Sequence, residues 1–182
     1  SLYKRRRNKS ARSKFSKDDL WKNFGEVVRE YPVILSTTHS LRNSIGENYL
    51  FDYVIIDESS QVDIVSGALA LSCGKNVVIV GDEKQLPNVV SDDLKVKTNE
   101  VFYSYDLDEA YNYSEKSLLT SIKTLYPDVP YTLLKEHYRC NPKIIGFCNE
   151  KFYNGELIPL TENNIDNPLM VYKTVEGNHA RG

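Results

Sequence analysis

The chain has 182 residues and a mass of 20.9 kDa, the size of one ordinary domain or of one domain plus part of another. Its 41% apolar and 26% charged residues exclude wholesale disorder, and no apolar run reaches the roughly 18 residues of a membrane span. No secretory signal opens the chain and its three cysteines (Cys73, Cys140, Cys148) are too few for a disulfide framework, so the expectation is a soluble, reducing, cytoplasmic protein with no membrane association.

The net charge of -2 hides an asymmetry. Residues 1–17 carry 8 of the 23 basic residues and no acid, which leaves 15 bases against 25 acids, a net of -10, in the remainder. A basic arm of this kind holds phosphates or is simply a solvated segment. Ser16 and Asp19 fit a capping box, and Leu20, Trp21, Phe24, Val27 and Val28 recur at helical spacing, which predicts one helix to about Glu30, stopped by Pro32. Val33-Ile34-Leu35 reads as a short buried strand running into the polar loop Ser36-Thr37-Thr38-His39-Ser40.

Tyr53-Val54-Ile55-Ile56 reads as a second buried strand that ends abruptly in Asp57-Glu58. A helix is predicted over 62–72, with Ile64, Val65, Ala68 and Leu69 inward and Gly74 as its stop. Val77-Val78-Ile79-Val80 reads as a third buried strand, ending in Gly81-Asp82. Strand, helix, strand with continuous apolar strands predicts a parallel sheet covered on both faces. Residues 88–113 show no period and read as a long, Tyr-rich surface insertion. Ser114 is expected to cap a helix to about Leu125, and Pro127 and Pro130 punctuate a linker. Residues 131–134 read as a strand. Asn141-Pro142 opens a helix to Phe152, which Asn154-Gly155 stops, and residues 169–172 read as a last strand. His137 and Cys140 alone do not make a zinc site, which takes about four ligands.

Strands of an open parallel sheet deliver polar residues at their carboxyl ends, where ligands bind. Asp57-Glu58 stands at such an end. An Asp there suits a water-rich Mg²⁺ and an acid beside it suits orienting an attacking water, although a DE pair is also common in a chain with 25 acids. Gly81-Asp82-Glu83-Lys84-Gln85-Leu86-Pro87 stands at the next strand end. Gly81 permits a sharp turn and Gln85 offers an amide to a phosphate oxygen or a water; a plain surface turn reads equally well. Arg139, just beyond a strand and a linker, suits neutralising charge on a phosphate or pairing with a surface carboxylate.

Taken as a series, Asp57-Glu58-Ser59-Ser60-Gln61, the 81–87 loop and Tyr138-Arg139-Cys140-Asn141-Pro142 resemble motifs II, III and IV of superfamily 1 helicases. The branch is the one that includes nonsense-mediated-decay and senataxin-type enzymes. Phe152-Tyr153-Asn154-Gly155-Glu156-Leu157 resembles the FY-x-G-x-L segment after motif IV, and Val33-Ile34-Leu35-Ser36-Thr37-Thr38 resembles a strand and loop that touch nucleic acid. The resemblance covers about residues 31–160. It implies an α/β fold: an incomplete RecA-like P-loop NTPase parallel sheet with the beginning of a second RecA-like domain. Residues 1–30 would be a basic arm and N-terminal helix, 31–130 the C-terminal part of the first RecA-like domain, and 131–182 the start of the second.

Carried over by position, the resemblance makes Asp57 the Mg²⁺ ligand and Glu58 the catalytic base. Gln61 and Gln85 sense the γ-phosphate of ATP and its water, and Gly81 and Asp82 lie in the nucleotide-binding loop. Arg139 reaches the nucleotide from the second domain, and Ser36, Thr37 and Thr38 face a single strand of DNA or RNA. Ser59 stands where the family often has Ala, His137 where Gln is usual, and Cys140-Asn141-Pro142 in place of Met-His-Pro. No GxxxxGK[ST] occurs in the 182 residues. The expectation is a piece of an ATP-dependent helicase or translocase, inactive by itself. The competing readings are a RecA-like scaffold or nucleic-acid-binding module that has lost its P-loop, and a metal-dependent nuclease built on the acids. The sequence assigns no oligomeric state.

Overall fold

The computed structural model describes residues 13–46, 49–162, 165 and 167–173. Six of the arm's eight basic residues, Lys4 to Arg12, lie outside the described residues. The chain divides into two units, Ser1–Val129 and Pro130–Gly182. The expected α/β class with parallel pairing holds in both.

The first unit opens with two short helices, α1 (Asp19–Lys22) and α2 (Phe24–Glu30), where one was expected. The break falls at Asn23, whose backbone leaves the helical basin (φ -129°, ψ 31°) while its amide donates to Asp19 Oδ1 at 3.0 Å. Half of the expected capping box forms. Asp19 Oδ2 accepts from the Ser16 hydroxyl and the Ser16 N–H, each at 2.7 Å, and these bonds hold the Asp19 carboxyl below its ordinary range. Pro32 forces its neighbour out of the helical region, and α2 ends before it.

Residues 31–37 run on without sheet pairing, so the strand expected at 33–35 does not form. Val33 and Leu35 are 76% and 92% exposed, and the apolar run alone does not supply a partner edge. Helix α3 (Thr38–Leu41) follows, capped by Thr37, and passes into a 3-10 turn at Arg42–Ser44.

Strand β1 (Phe51–Ile56) pairs in parallel with β2 (Gly74–Ile79) across helix α4 (Ile64–Leu71), with Val54 opposite Val77 and Ile56 opposite Ile79. Gly74 opens β2 rather than stopping α4. A Cβ there would stand 2.6 Å from Val54 Cγ2, so the close approach of the strands requires glycine. Val54 and Ile56 are buried, but Tyr53 and Ile55 are 65% and 67% exposed, so β1 is covered on one face and not on two. On α4 the expected inward set is also corrected. Ser66, Gly67 and Ala70 are buried, whereas Val65, Ala68 and Leu69 are exposed. The small residues face inward because a Cβ on Gly67 would already stand 2.6 Å from Leu118 Cδ1.

The segment 88–113 is not a loop. It contains α5 (Asp92–Ser104), with two acids in its first turn against the helix dipole, and a 3-10 turn at Glu109–Tyr111. Helix α6 (Leu118–Leu125) is capped by Ser117 in a full capping box with Thr120, three residues later than the Ser114 cap expected. Phe24, Ile45, Val54, Ile56, Ala70, Cys73 and Leu118 form the core. Each large apolar side chain there contributes roughly 1.5–3 kcal/mol by leaving water. Phe24, Tyr49 and Phe51 pack edge to face beside it, with centroids 4.8–5.9 Å apart.

In the second unit, β3 (Glu136–His137) pairs in parallel with β4 (Ile158–Pro159) on either side of α7 (Pro142–Phe152). The strand expected at 131–134 therefore begins later and is shorter, and residues 169–172 form no strand. Asn141 caps α7 by accepting from the Lys143 N–H at 2.9 Å. The helix stops at Asn154 and Gly155, both at positive φ (54° and 76°). The Asn149 side chain then fixes the exit, donating to the Leu157 carbonyl and accepting from its N–H. Among the described residues no helix is long and apolar enough to cross a membrane.

Candidate functional site

Two adjacent parallel strands end at the same edge of their sheet, and here those ends are Asp57-Glu58 after β1 and Val80-Gly81-Asp82 after β2. The Val80 N–H donates to the Ile56 carbonyl at 2.8 Å. The Val80 carbonyl then accepts twice from Ser59, from its N–H at 2.9 Å and from its hydroxyl at 2.7 Å. Ser59 has no exposed surface. Its hydroxyl is thus a built part of the junction, which Ala, common at this position in the family the motifs resemble, would not supply.

Gly81 completes the fit. Its φ is not in the left-handed region, so the sharp turn expected of it is not its reason. The reason is space: a Cβ would stand 2.5 Å from Ser59 Oγ and 3.1 Å from Ser59 N.

Each loop is also organised internally. Asp57 Oδ1 accepts from the Glu58 N–H at 2.9 Å. Glu58 takes a left-handed backbone (φ 50°, ψ 38°), and its carbonyl accepts from the Gln61 N–H at 2.9 Å, closing a 3-10 turn over Ser59–Gln61. Asp57, Glu58 and Gln61 are exposed. In the second loop Asp82 is the organiser. Its Oδ1 accepts from the Lys84 N–H at 2.9 Å and its Oδ2 from the Gln85 amide at 3.3 Å, while its carbonyl accepts from the Gln85 N–H at 3.2 Å. Glu83 is paired with Lys123 of α6 at 2.5 Å, and the Asn88 N–H donates to the Ser60 carbonyl at 2.9 Å.

Gln61 and Gln85 come together. With Lys84, Leu86 and Pro87 they line an open pocket of about 410 Å³. Asp57, Glu58, Gly81 and Asp82 are not among its lining residues. Ser59, Lys84 and the Glu83–Lys123 pair also take part in the site, without a separate role in the sequence motifs. Lys84 had a visible signal, a cation inside the loop, whereas the Lys123 partner lies 40 residues away.

Ser36, Thr37 and Thr38 sit together at the start of α3. The Ser36 hydroxyl donates to the Thr37 carbonyl at 3.1 Å, and Thr37 Oγ1 accepts from the Ser40 N–H at 3.3 Å. Arg139 belongs to the second unit, exposed between β3 and α7. Its turn is tied by His137 Nε2, which accepts from the Cys140 N–H at 2.8 Å. The Tyr138 hydroxyl donates to Glu136, and that bond raises the Tyr138 phenol above its ordinary range.

Residues 2–93 match the model of a family described as an AAA domain. The chain is 30% identical over 137 residues to an ATP-dependent helicase of Methanocaldococcus jannaschii, an alignment covering 75% of this chain and 18% of that protein. It is 30% identical over 177 residues to an ATP-dependent helicase of Mycoplasma pneumoniae, covering 93% of this chain and 16% of that protein. It is 26% identical over 132 residues to the DNA replication ATP-dependent helicase/nuclease DNA2 of Gallus gallus, covering 72% and 12%. The chain therefore spans only a minor part of each of these relatives. Their names agree with the superfamily 1 helicase resemblance carried by the three motifs.

Proposed function

Because the chain belongs to the AAA-domain family whose model its residues 2–93 match, we propose that it is part of a soluble, cytoplasmic, ATP-dependent helicase or translocase acting on single-stranded DNA or RNA. The first unit then serves as the C-terminal part of one RecA-like domain and the second as the opening of another. The observation that carries the reading is the Ser59–Val80 junction, which holds the Asp57-Glu58 loop and the Gly81–Gln85 loop at one strand edge.

In this reading Asp57 holds Mg²⁺. The donor chemistry fits: Mg²⁺ takes one or two carboxylates, keeps several waters and completes its shell with substrate phosphates. Asp57 offers one exposed carboxylate at a strand end, beside a second at Glu58. When bound, the ion supplies charge neutralisation at the phosphates.

The remaining work falls to side chains of the chain. Glu58 accepts the proton of the attacking water, a role worth roughly 10²–10⁴-fold in rate. Gln61 and Gln85, which share one pocket, orient that water and hydrogen-bond the γ-phosphate oxygen. Asp82 holds the Gln85 amide at 3.3 Å and so sets its direction. Arg139 offers a planar guanidinium to the charge that develops on the transferred phosphoryl group. Ser36, Thr37 and Thr38 contact the nucleic-acid backbone with hydroxyls, which suits a grip that reads no sequence.

The test is ATP hydrolysis by the full-length protein with and without single-stranded DNA or RNA, beside Glu58→Gln. Stimulation by one nucleic acid is expected, and the variant should lose at least about 100-fold in turnover while still binding nucleotide. Folded full-length protein that carries a P-loop but hydrolyses no ATP with either nucleic acid would overturn the motor in favour of a scaffold.

A further inference from the structure

His39 is the second residue of α3, directly after Thr38, and its Nε2 lies 3.0 Å from the Ser66 hydroxyl of α4. Ser66 is buried, 7% exposed, and its N–H donates to Asp63 Oδ1 at 2.9 Å, the N-cap bond of α4. Asp63 stands two residues after Gln61, and the carbonyl of the intervening Val62 accepts from the Leu118 N–H at 2.8 Å. The 3-10 turn that carries Gln61 thus runs into a helix start that is pinned on both sides. At the other end of the link, the Thr37 hydroxyl caps α3, so a displacement of Thr37 moves the helix that bears His39.

From this path we infer that His39 is a positioning residue: through Ser66 it ties the Ser36–Thr38 loop to the Gln61 turn and passes the state of one to the other. The inference rests on the motor reading above, since it takes nucleic acid at the first loop and nucleotide at the second. An imidazole–hydroxyl bond is directional, which packing alone is not, and it joins α3 directly to the start of α4. A single link of this kind supplies coupling at the lower end of the usual range, about fivefold.

The experiment compares wild-type full-length protein with His39→Ala, His39→Gln, Ser66→Ala and the His39→Ala/Ser66→Ala double variant. For each, turnover of ATP is measured without and with saturating single-stranded nucleic acid. Loss of about fivefold in stimulation is expected for each Ala variant, with unstimulated turnover and the KM for ATP unchanged. The double variant should be no worse than either single one, because both remove the same bond. His39→Gln should restore most of the stimulation, its amide reaching the same hydroxyl. Unchanged stimulation in His39→Ala and Ser66→Ala overturns the inference. So does an equal fall in unstimulated and stimulated turnover, which marks a purely structural role, or additivity in the double variant. Should His39→Ala not fold, Ser66→Ala decides by the same criteria, and a loss of stimulation in His39→Gln as large as in Ser66→Ala counts against the bond. A wild-type protein hydrolysing ATP at one rate with and without nucleic acid removes the motor reading, and this inference with it.

Discussion

Substituting Gly81 by Ala tests the junction at the heart of the candidate site. The added Cβ stands 2.5 Å from Ser59 Oγ, 3.1 Å from Ser59 N and 3.2 Å from Leu119 Cδ2. Leu119 can shift its branch. Ser59 cannot give easily, because its hydroxyl is short, fully buried and bonded to the Val80 carbonyl at 2.7 Å. Either the hydroxyl rotates and loses a buried hydrogen bond, about 1–3 kcal/mol, or the loop backs away at an overpacking cost of the same size. The expected loss is about 2 kcal/mol, which at a urea slope of about 2 kcal/mol/M lowers the denaturation midpoint by about 1 M. Urea titration followed by far-ultraviolet circular dichroism and by fluorescence of Trp21, the chain's one tryptophan, reads the shift. Ser59→Ala removes the clashing oxygen, so Gly81→Ala should cost about 1 kcal/mol less in that background. An unchanged midpoint for Gly81→Ala, or an equal cost in both backgrounds, would refute the close-approach explanation.

Two further outcomes follow from geometry outside the junction. Ser117→Ala removes the acceptor of the Thr120 N–H (3.3 Å) at the start of α6 and should cost about 1 kcal/mol in the same urea titration, because α6 carries Leu118 and Leu119 into the core. The Tyr113 phenol is pushed above its ordinary value of 10.0, by burial first and by the Asp63 carboxylate second. Folding therefore favours the neutral phenol: this contribution is intact below pH 10.0 and is lost as pH rises through the raised value. Tyr113→Phe should flatten the alkaline fall in stability, and ultraviolet titration of wild type against variant should reveal one late-ionising tyrosine.

The strands and the site announced themselves unequally in the sequence. Tyr53–Ile56 was legible as a strand because four apolar residues precede an acidic pair, but a continuous apolar run does not say that one face stays open, and Tyr53 and Ile55 are exposed. α5 was invisible to periodicity because it buries none of its side chains; the usable signal was Ser91 ahead of Asp92 and Asp93, a start pattern without an apolar face behind it. On α4 apolar character misled, because the tight approach to Leu118 selects Gly67 and its small neighbours over Val65 and Leu69. Asp57-Glu58 and the loop of Asp82 and Gln85 were legible as polar residues at strand ends, while Gln61 entered only through the motif resemblance. Their mutual fixation was not, since the Ser59–Val80 bond spans 21 residues, His39–Ser66 spans 27 and Glu83–Lys123 spans 40, and no local pattern encodes partners so far apart.

The left-handed backbone at Glu58 has a consequence for any effort to improve this protein. A residue with a Cβ holds that conformation at a cost of about 1–2 kcal/mol, which Gly escapes and Asn reduces. Under the role proposed for it, Glu58 is kept for its carboxylate against the preference of its own backbone. A library screened for heat resistance will drift toward Gly or Asn at position 58, while one screened for turnover will hold Glu. Position 58 is thus where selection for durability and selection for work part company.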